Sequence, residues 1–252
     1  MDIIIIGTGN VATVLARKFL VAGHRILQIV GRDPAAAEAL ALEAKATFTN
    51  DWSRTMTNAD IYLIAVSDDG IADISKNLHS PGSVVAHTAG SVSKNVLKNV
   101  STHFGVFYPL QTLRRDVATL PEIPVLIDGS DPEAMETLRN LAQSISGQKV
   151  FVAGDDERLS MHVAAVFASN FTNHLYKLAE DYCKSENFDF RRLIPLIEET
   201  AGRLKTLSPG DAQTGPAIRH DEPTIQKHLS LLEKYPRLKN IYSLITKSIQ
   251  LG

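Results

Sequence analysis

The stretch Ile3-Ile4-Ile5-Ile6-Gly7-Thr8-Gly9-Asn10-Val11-Ala12 decides the reading of this chain. An unbroken β-branched run without polar alternation is what a parallel strand covered on both faces requires. The chain then turns through Gly-x-Gly-x-x-Ala into a helical pattern, Val14, Leu15, Phe19 and Leu20, with Gly23 placed to stop it. Strand, glycine turn and helix N-terminus together make an anion site, because free backbone N–H groups and the positive end of the helix dipole face the loop. A dinucleotide pyrophosphate is the natural guest. Gly7 permits the tight turn, Gly9 lets the backbone approach the phosphate, and Ala12 lets the helix lie close on the strand, while Thr8, Asn10 and Val11 complete the expected cofactor loop. The competing reading is a strand-to-helix turn that holds no ligand.

A second strand, Arg25 to Val30, ends where such folds choose between NAD and NADP. An acidic residue there accepts from the adenosine ribose hydroxyls. Gly31 takes that point instead and Arg32 follows, which favours the 2′-phosphate of NADP over NAD. Asp33 leaves an alternative open, since a one-residue shift would bring an acid to the ribose. Asp33-Pro34 also reads as a helix start with proline in the first helical position.

Composition narrows the class. With 252 residues the chain can bury a sizeable core and exceeds one mononucleotide-binding half, so one large domain and a smaller one are expected. The formal net charge of −2, with no long basic tract, gives no reason to expect nucleic acid. Cys183 is the only cysteine, which excludes an internal disulfide and a cysteine-rich zinc site, and no metal is expected. The N-terminal apolar run is too short for a signal peptide and no stretch reaches membrane-spanning length, so a cytoplasmic protein with no membrane partner is expected.

Strand and helix patterns alternate through the first part: a helix over Ala35–Ala46, strands over Ala59–Val66 and Ser83–His87 around a helix at Ile71–Leu78, then strands at Phe104–Tyr108, Val125–Asp128 and Lys149–Val152 with a helix at Pro132–Ile145. This predicts an α/β fold, a Rossmann-type doubly wound, mainly parallel sheet over residues 1–153. Past Gly154 only helical patterns follow, at Asp156–Ser185, Phe190–Leu207, Thr224–Lys234 and Arg237–Ile249. Residues 154–252 therefore read as a smaller all-α domain for substrate binding and dimerisation.

Ligands bind outside the carboxyl ends of parallel strands, so the residues that end these strands are the site candidates. Val66 and Ser67 would meet the cofactor, with Asp68 capping the next helix. His87 is the expected proton donor, because imidazole titrates near neutrality; the alternative is a histidine that only bonds a loop. Thr88 and Ser91 either face substrate or cap a helix starting near Val92. Tyr108 and Gln111 in Phe107-Tyr108-Pro109-Leu110-Gln111-Thr112 would face the substrate, unless the aromatics simply pack on helices. In the helical part, Asn170 stands in the apolar run Val163–Phe171, where an unpaired amide is costly. It would position the reactants or form a buried interhelical hydrogen bond. His162, on roughly the same face, is a second proton-donor candidate. Arg219 suits a substrate carboxylate or a cofactor phosphate, or a structural salt bridge.

The N-terminal fingerprint, His87-Thr88-Ala89-Gly90-Ser91, Phe107-Tyr108-Pro109-Leu110-Gln111-Thr112, the stretch Ala168 to Phe171 and Thr214-Gly215-Pro216-Ala217-Ile218-Arg219 together resemble a family of Rossmann-type NADP oxidoreductases. Its C-terminal helical part is known only as a domain of unknown function. The likeness covers essentially the whole chain, and its plan is similar to pyrroline-carboxylate reductases, F420-dependent NADP oxidoreductases and β-hydroxyacid dehydrogenases. The last of these carry a lysine one turn before an asparagine facing the nicotinamide; Asn170 matches the asparagine, and Val166 stands where the lysine would be. The family pattern also has glycine where this chain has His220. The resemblance implies a class and supplies no substrate; taken with the residues it leads to the expectation of NADP-dependent hydride transfer to or from a small carbonyl, imine or hydroxy compound, with His87 supplying or taking the proton, Asn170 positioning the reactants and a homodimer built through the helical domain. The alternatives are a non-catalytic NADP-binding sensor or partner protein, and a flavin or deazaflavin partner in place of an organic substrate.

Overall fold

The computed structural model describes residues 1–252 apart from Pro81 and Ala118. Eight strands form one sheet in the order β3-β2-β1-β4-β5-β6-β7-β8. They are β1 (Asp2–Ile6), β2 (Arg25–Val30), β3 (Thr47–Thr49), β4 (Ile61–Ile64), β5 (Val84–His87), β6 (Phe104–Pro109), β7 (Val125–Gly129) and β8 (Val150–Val152). The first six run parallel, the β6–β7 pair is antiparallel, and β8 is parallel to β7. Strand order reverses between β1 and β4, so a crevice is expected outside their carboxyl ends.

The opening isoleucines explain why this sheet is sandwiched. Successive strand residues point to opposite faces, and here Ile3 and Ile5 join one apolar layer while Ile4 and Ile6 join the other. The first layer is built with α1 (Asn10–Val21), α2 (Pro34–Ala44) and α4 (Pro132–Ser146), the second with α3 (Asp68–Asn77). All four isoleucines are buried. Both Asp-Pro dipeptides start helices as their chemistry demands. Asp33 accepts from Ala35 N at 3.0 Å, Asp131 accepts from Glu133 N at 2.9 Å, and each following proline takes a position whose N–H would have no helical partner.

The chain divides into two compact units, Met1–Asn170 and Phe171–Gly252. Helix α5 (Asp155–Ala165) thus belongs with the sheet, to which Arg158, 1% exposed, ties it. The long helical reading after Gly154 is interrupted by a π-helical turn, Val166–Phe171, before α6 (Thr172–Ser185). Hydrophobic spacing does not reveal one extra residue in a turn. The short strand β3 was likewise invisible to the pattern, being three residues long. In the second unit, α7 spans Ile194–Arg203 after a 3₁₀ turn at Phe190–Leu193, followed by α8 (Glu222–Leu231) and α9 (Pro236–Gln250). Among the described residues, no helix is long and apolar enough to cross a membrane, and no group of three metal-ligating side chains converges.

Candidate cofactor and active site

Gly7 sits where three strand ends meet. Its φ is +126°, its N–H donates to Val30 O at 2.8 Å, and a Cβ built on it would lie 2.2 Å from Ala65 O. Only glycine fits there. Gly9 takes the N-cap position of α1 without any side-chain cap, and a Cβ on it would meet nothing within 4 Å. The open space lies before the unpaired N–H groups of the first helical turn. Asn10 is pinned from outside, its Oδ1 accepting from Arg115 N at 3.2 Å.

A cavity of about 660 Å³ opens on this loop. Gly7, Thr8, Gly9, Asn10, Val11, Arg32, Val66 and Ser67 all line it, so the structure gathers every residue expected to contact a cofactor. Gly31 and Asp33 line it too, and three residues sequence reasoning did not select: Trp52, Asp73 and Asn77. Trp52 is the chain's single tryptophan, on a 3₁₀ turn after β3, and its rarity was the one available signal. Asp73 and Asn77, one turn apart on α3, gave none.

Asp33 caps α2, its Oδ1 accepting from Ala35 N and Ala36 N, and also lines the cavity. A Cβ on Gly31 would lie 2.6 Å from Thr8 Cγ2 and 3.2 Å from Ala37 Cβ, so the strand end is tightly packed there. Arg32 is exposed on the cavity wall, with no ion pair among the described residues. These residues fit a dinucleotide carrying an additional phosphate.

The neighbouring strand ends hold surprises. Ser67, not Asp68, is the N-cap residue of α3, and its hydroxyl makes no capping bond. Asp68 instead accepts a hydrogen bond from Ser91 Oγ, which ties the loop after β4 to the loop after β5. The helix expected near Val92 is a 3₁₀ turn at Lys94–Leu97 capped by Ser93, while Thr88 donates from its backbone to Ile64 O at 3.0 Å. Thr88 and Ser91 therefore cap nothing. Gln111 is bound to its own loop, donating to Glu122 O at 3.1 Å and accepting from Thr112 N at 2.9 Å.

His87 ends β5 on the expected edge, yet it has no exposed surface. Its Nδ1 accepts from Ala89 N at 3.2 Å. Burial and then the nearby Arg158 guanidinium lower its pKa to about 4, opposed by the Ser93 backbone, Asp155 and Asp68. It is a neutral imidazole at physiological pH, sealed from solvent. On the same edge Tyr108 Oη and His162 Nδ1 are 2.9 Å apart, with their rings edge to face. Asn170, expected in an apolar run, is exposed on the π-helical turn, and Val163 and Phe167 of the same run are exposed too. Its neighbour Ser169 shares a 2.7 Å hydrogen bond with Thr112. In the second unit Arg219 is exposed and His220 has φ +52°, the left-handed conformation that glycine adopts most cheaply.

Residues 2–90 match the family model described as NADP oxidoreductase, coenzyme F420-dependent, and residues 123–249 match the model described as a domain of unknown function, DUF2520. A solved structure from Bacteroides fragilis, BF3122, to which NADP oxidoreductase activity is ascribed, is 37% identical, with 100% of this chain and 98% of that one covered and a TM-score of 0.93. The chain belongs to the DUF2520 family. This DUF2520 protein shares its fold with more distant structures. Pyrroline-5-carboxylate reductase from Streptococcus pyogenes is 14% identical, with 100% and 99% of the chains covered and a TM-score of 0.66. An imine reductase from Myxococcus stipitatus, solved with NADP+, is 17% identical, with 100% and 95% covered and a TM-score of 0.64. Among curated proteins nothing matches.

Proposed function

We propose that this DUF2520 protein is an NADP-dependent oxidoreductase that reduces, or forms by oxidation, a small carbonyl, imine or hydroxy compound. The observation that carries this reading is the single cavity at the β1–β4 crevice, lined together by the glycine loop, Arg32, Val66 and Ser67. In it the backbone N–H groups at Gly9 to Val11 hold the pyrophosphate. Arg32 holds the 2′-phosphate, Trp52 offers a flat apolar face to the adenine, and Val66 and Ser67 wall the nicotinamide half. Bound NADPH supplies hydride from its nicotinamide C4. Asn170 positions the reactants in this reading, being exposed beside Ser169, which is bonded to the loop after β6. His87 is given a structural role, because a sealed imidazole cannot exchange its proton with solvent.

The cofactor choice is tested by Arg32→Gln. NADPH affinity, followed by its fluorescence, is expected to fall about 10- to 100-fold, or about 1.4–2.8 kcal/mol, with NADH affinity unchanged. Equal effects on both would refute the 2′-phosphate contact. Catalysis is tested by NADPH oxidation and NADP+ reduction over ketones, imines and hydroxy acids. Tight NADPH binding without turnover on any of them would return the protein to the sensor reading.

We also propose a homodimer through the helical unit. Among its described residues Cys183, Ala217, Ile225 and Leu232 are the buried apolar ones, while Phe188, Leu196, Leu204 and Leu244 stay 55–71% exposed. So little self-burial is far below what a unit of this size needs to stand alone. Sedimentation is expected to give a dimer at micromolar concentration, and Leu244→Glu to shift it toward monomer. A monomeric wild type would refute the interface.

A further inference from the structure

We propose that Tyr108 is the catalytic acid of this oxidoreductase and that His162 positions it and restores its proton. The inference rests on the reductase reading above and adds the group that completes the reaction. Three observations converge on it. Tyr108 Oη lies 2.9 Å from His162 Nδ1, joining β6 to α5, and no other hydrogen bond of either side chain is present among the described residues. Gly90, in the loop after β5, leaves space for the pair: a Cβ there would lie 2.9 Å from His162 Nδ1 and 3.0 Å from Tyr108 Cζ. The loop that carries Gly90 is also tied by a hydrogen bond to the residue beside the cofactor cavity's edge. Ser67 lines that cavity, its neighbour Asp68 accepts from Ser91 Oγ, and Ser91 adjoins Gly90.

The exposures suit the two tasks. Tyr108 is 9% exposed, and its phenol is pushed above its ordinary range by burial and then by the Asp68 carboxylate, with Arg158 opposing. It therefore keeps its proton at neutral pH until a stronger base develops beside it. His162 is only half-buried, so its Nε2 can exchange protons with water. Within the low-dielectric site, an imidazole N–H donating to the phenol oxygen stabilises the phenolate as the proton leaves.

The step balances as follows. Hydride adds to the substrate carbon, a C–H bond forms, and the C=O or C=N π pair moves onto the heteroatom. Tyr108 gives that atom its O–H proton, the His162 imidazole passes its Nδ1–H to the phenolate oxygen, and its Nε2 takes a proton from solvent in exchange. A neutral ketone or imine needs this proton. A preformed iminium cation does not, because hydride addition already gives a neutral amine.

That difference supplies the test. Tyr108→Phe is expected to lower kcat on neutral ketones or imines by about 100-fold or more, with a loss below about fivefold on an N-alkylated iminium of similar shape. NADPH affinity and melting temperature should match the wild type. In the ligand-free protein, the phenol titration that disappears in Tyr108→Phe should move in His162→Asn, a readout independent of turnover. Equal losses on both substrate classes, a Tyr108→Phe variant within threefold of wild type on ketones and imines, or a phenol titration indifferent to His162 would overturn the assignment while leaving the reductase reading intact. Absence of wild-type turnover despite NADPH binding would instead sink the reading beneath it.

Discussion

Gly7→Ala is expected to destabilise the protein by roughly 3 kcal/mol or more and to abolish NADPH binding. The added methyl would have to occupy a point 2.2 Å from Ala65 O, a backbone atom, at a φ of +126° that side-chain-bearing residues rarely adopt. Relief by movement is closed off. Gly7 N is bonded to Val30 O at 2.8 Å, and Ala65 N donates to Ile6 O at 2.7 Å, so shifting either side breaks the ladder joining β1 to β2 or β4. Gly9→Ala separates the structural from the functional use of glycine here. Its φ of −80° suits alanine and its Cβ meets open space, so stability should stay within about 1 kcal/mol of wild type, while the methyl intrudes where a pyrophosphate approaches. Thermal melts and NADPH fluorescence titrations read both. A Gly7→Ala protein with unchanged melting and affinity would show that the loop tolerates a different path.

Asp155→Ala is the second large effect expected, a loss of about 3–5 kcal/mol. Arg158 is 1% exposed, and its Nη2 reaches only Val92 O at 2.5 Å and Asp155 Oδ1 at 2.7 Å. Its Nε and Nη1 have no hydrogen-bond partner among the described residues. Removing the carboxylate leaves a buried cation with one neutral contact. It also removes the acceptor for Ser93 Oγ and Lys94 N, which hold the 3₁₀ turn after β5. The penalty comes from the unpaired charge, so Arg158→Met alone should be the milder change, and Asp155→Ala with Arg158→Met together should recover part of the loss. At about 2–4 °C per kcal/mol, the single Asp155→Ala variant should melt roughly 6–20 °C lower. A double variant no more stable than Asp155→Ala would assign the loss to the turn instead of to the buried charge.

Local chemistry wrote much of the fold into the chain. The unbroken isoleucine run can only be a strand covered on both faces, and Gly7-Thr8-Gly9 can only follow it as a turn into a helix. Each Asp-Pro pair starts a helix because the carboxylate accepts the first free N–H groups while proline needs none. These signals span a few residues and do not depend on distant packing. Hence the glycine-loop side of the cavity was legible residue by residue, while Trp52, Asp73 and Asn77 were not.

The acid side of the site was not. His87 and Tyr108 both end strands on the same edge, and nothing within five residues of either says which partners each will meet. That depends on Arg158, brought from α5 to lie near His87, and on His162, one turn further along the same helix and hydrogen-bonded to Tyr108. For Asn170, whose alternative reading was a buried interhelical hydrogen bond, the structure shows an exposed side chain in a run whose Val163 and Phe167 are exposed too. Sequence by itself determined the glycine turn from β1 into α1 and the positive charge that follows β2 at Arg32, since both are written in residues at adjacent positions. Tertiary structure alone decided which polar groups share the crevice edge, because a 2.9 Å contact between residues 108 and 162 is set by the packing of a helix on a sheet.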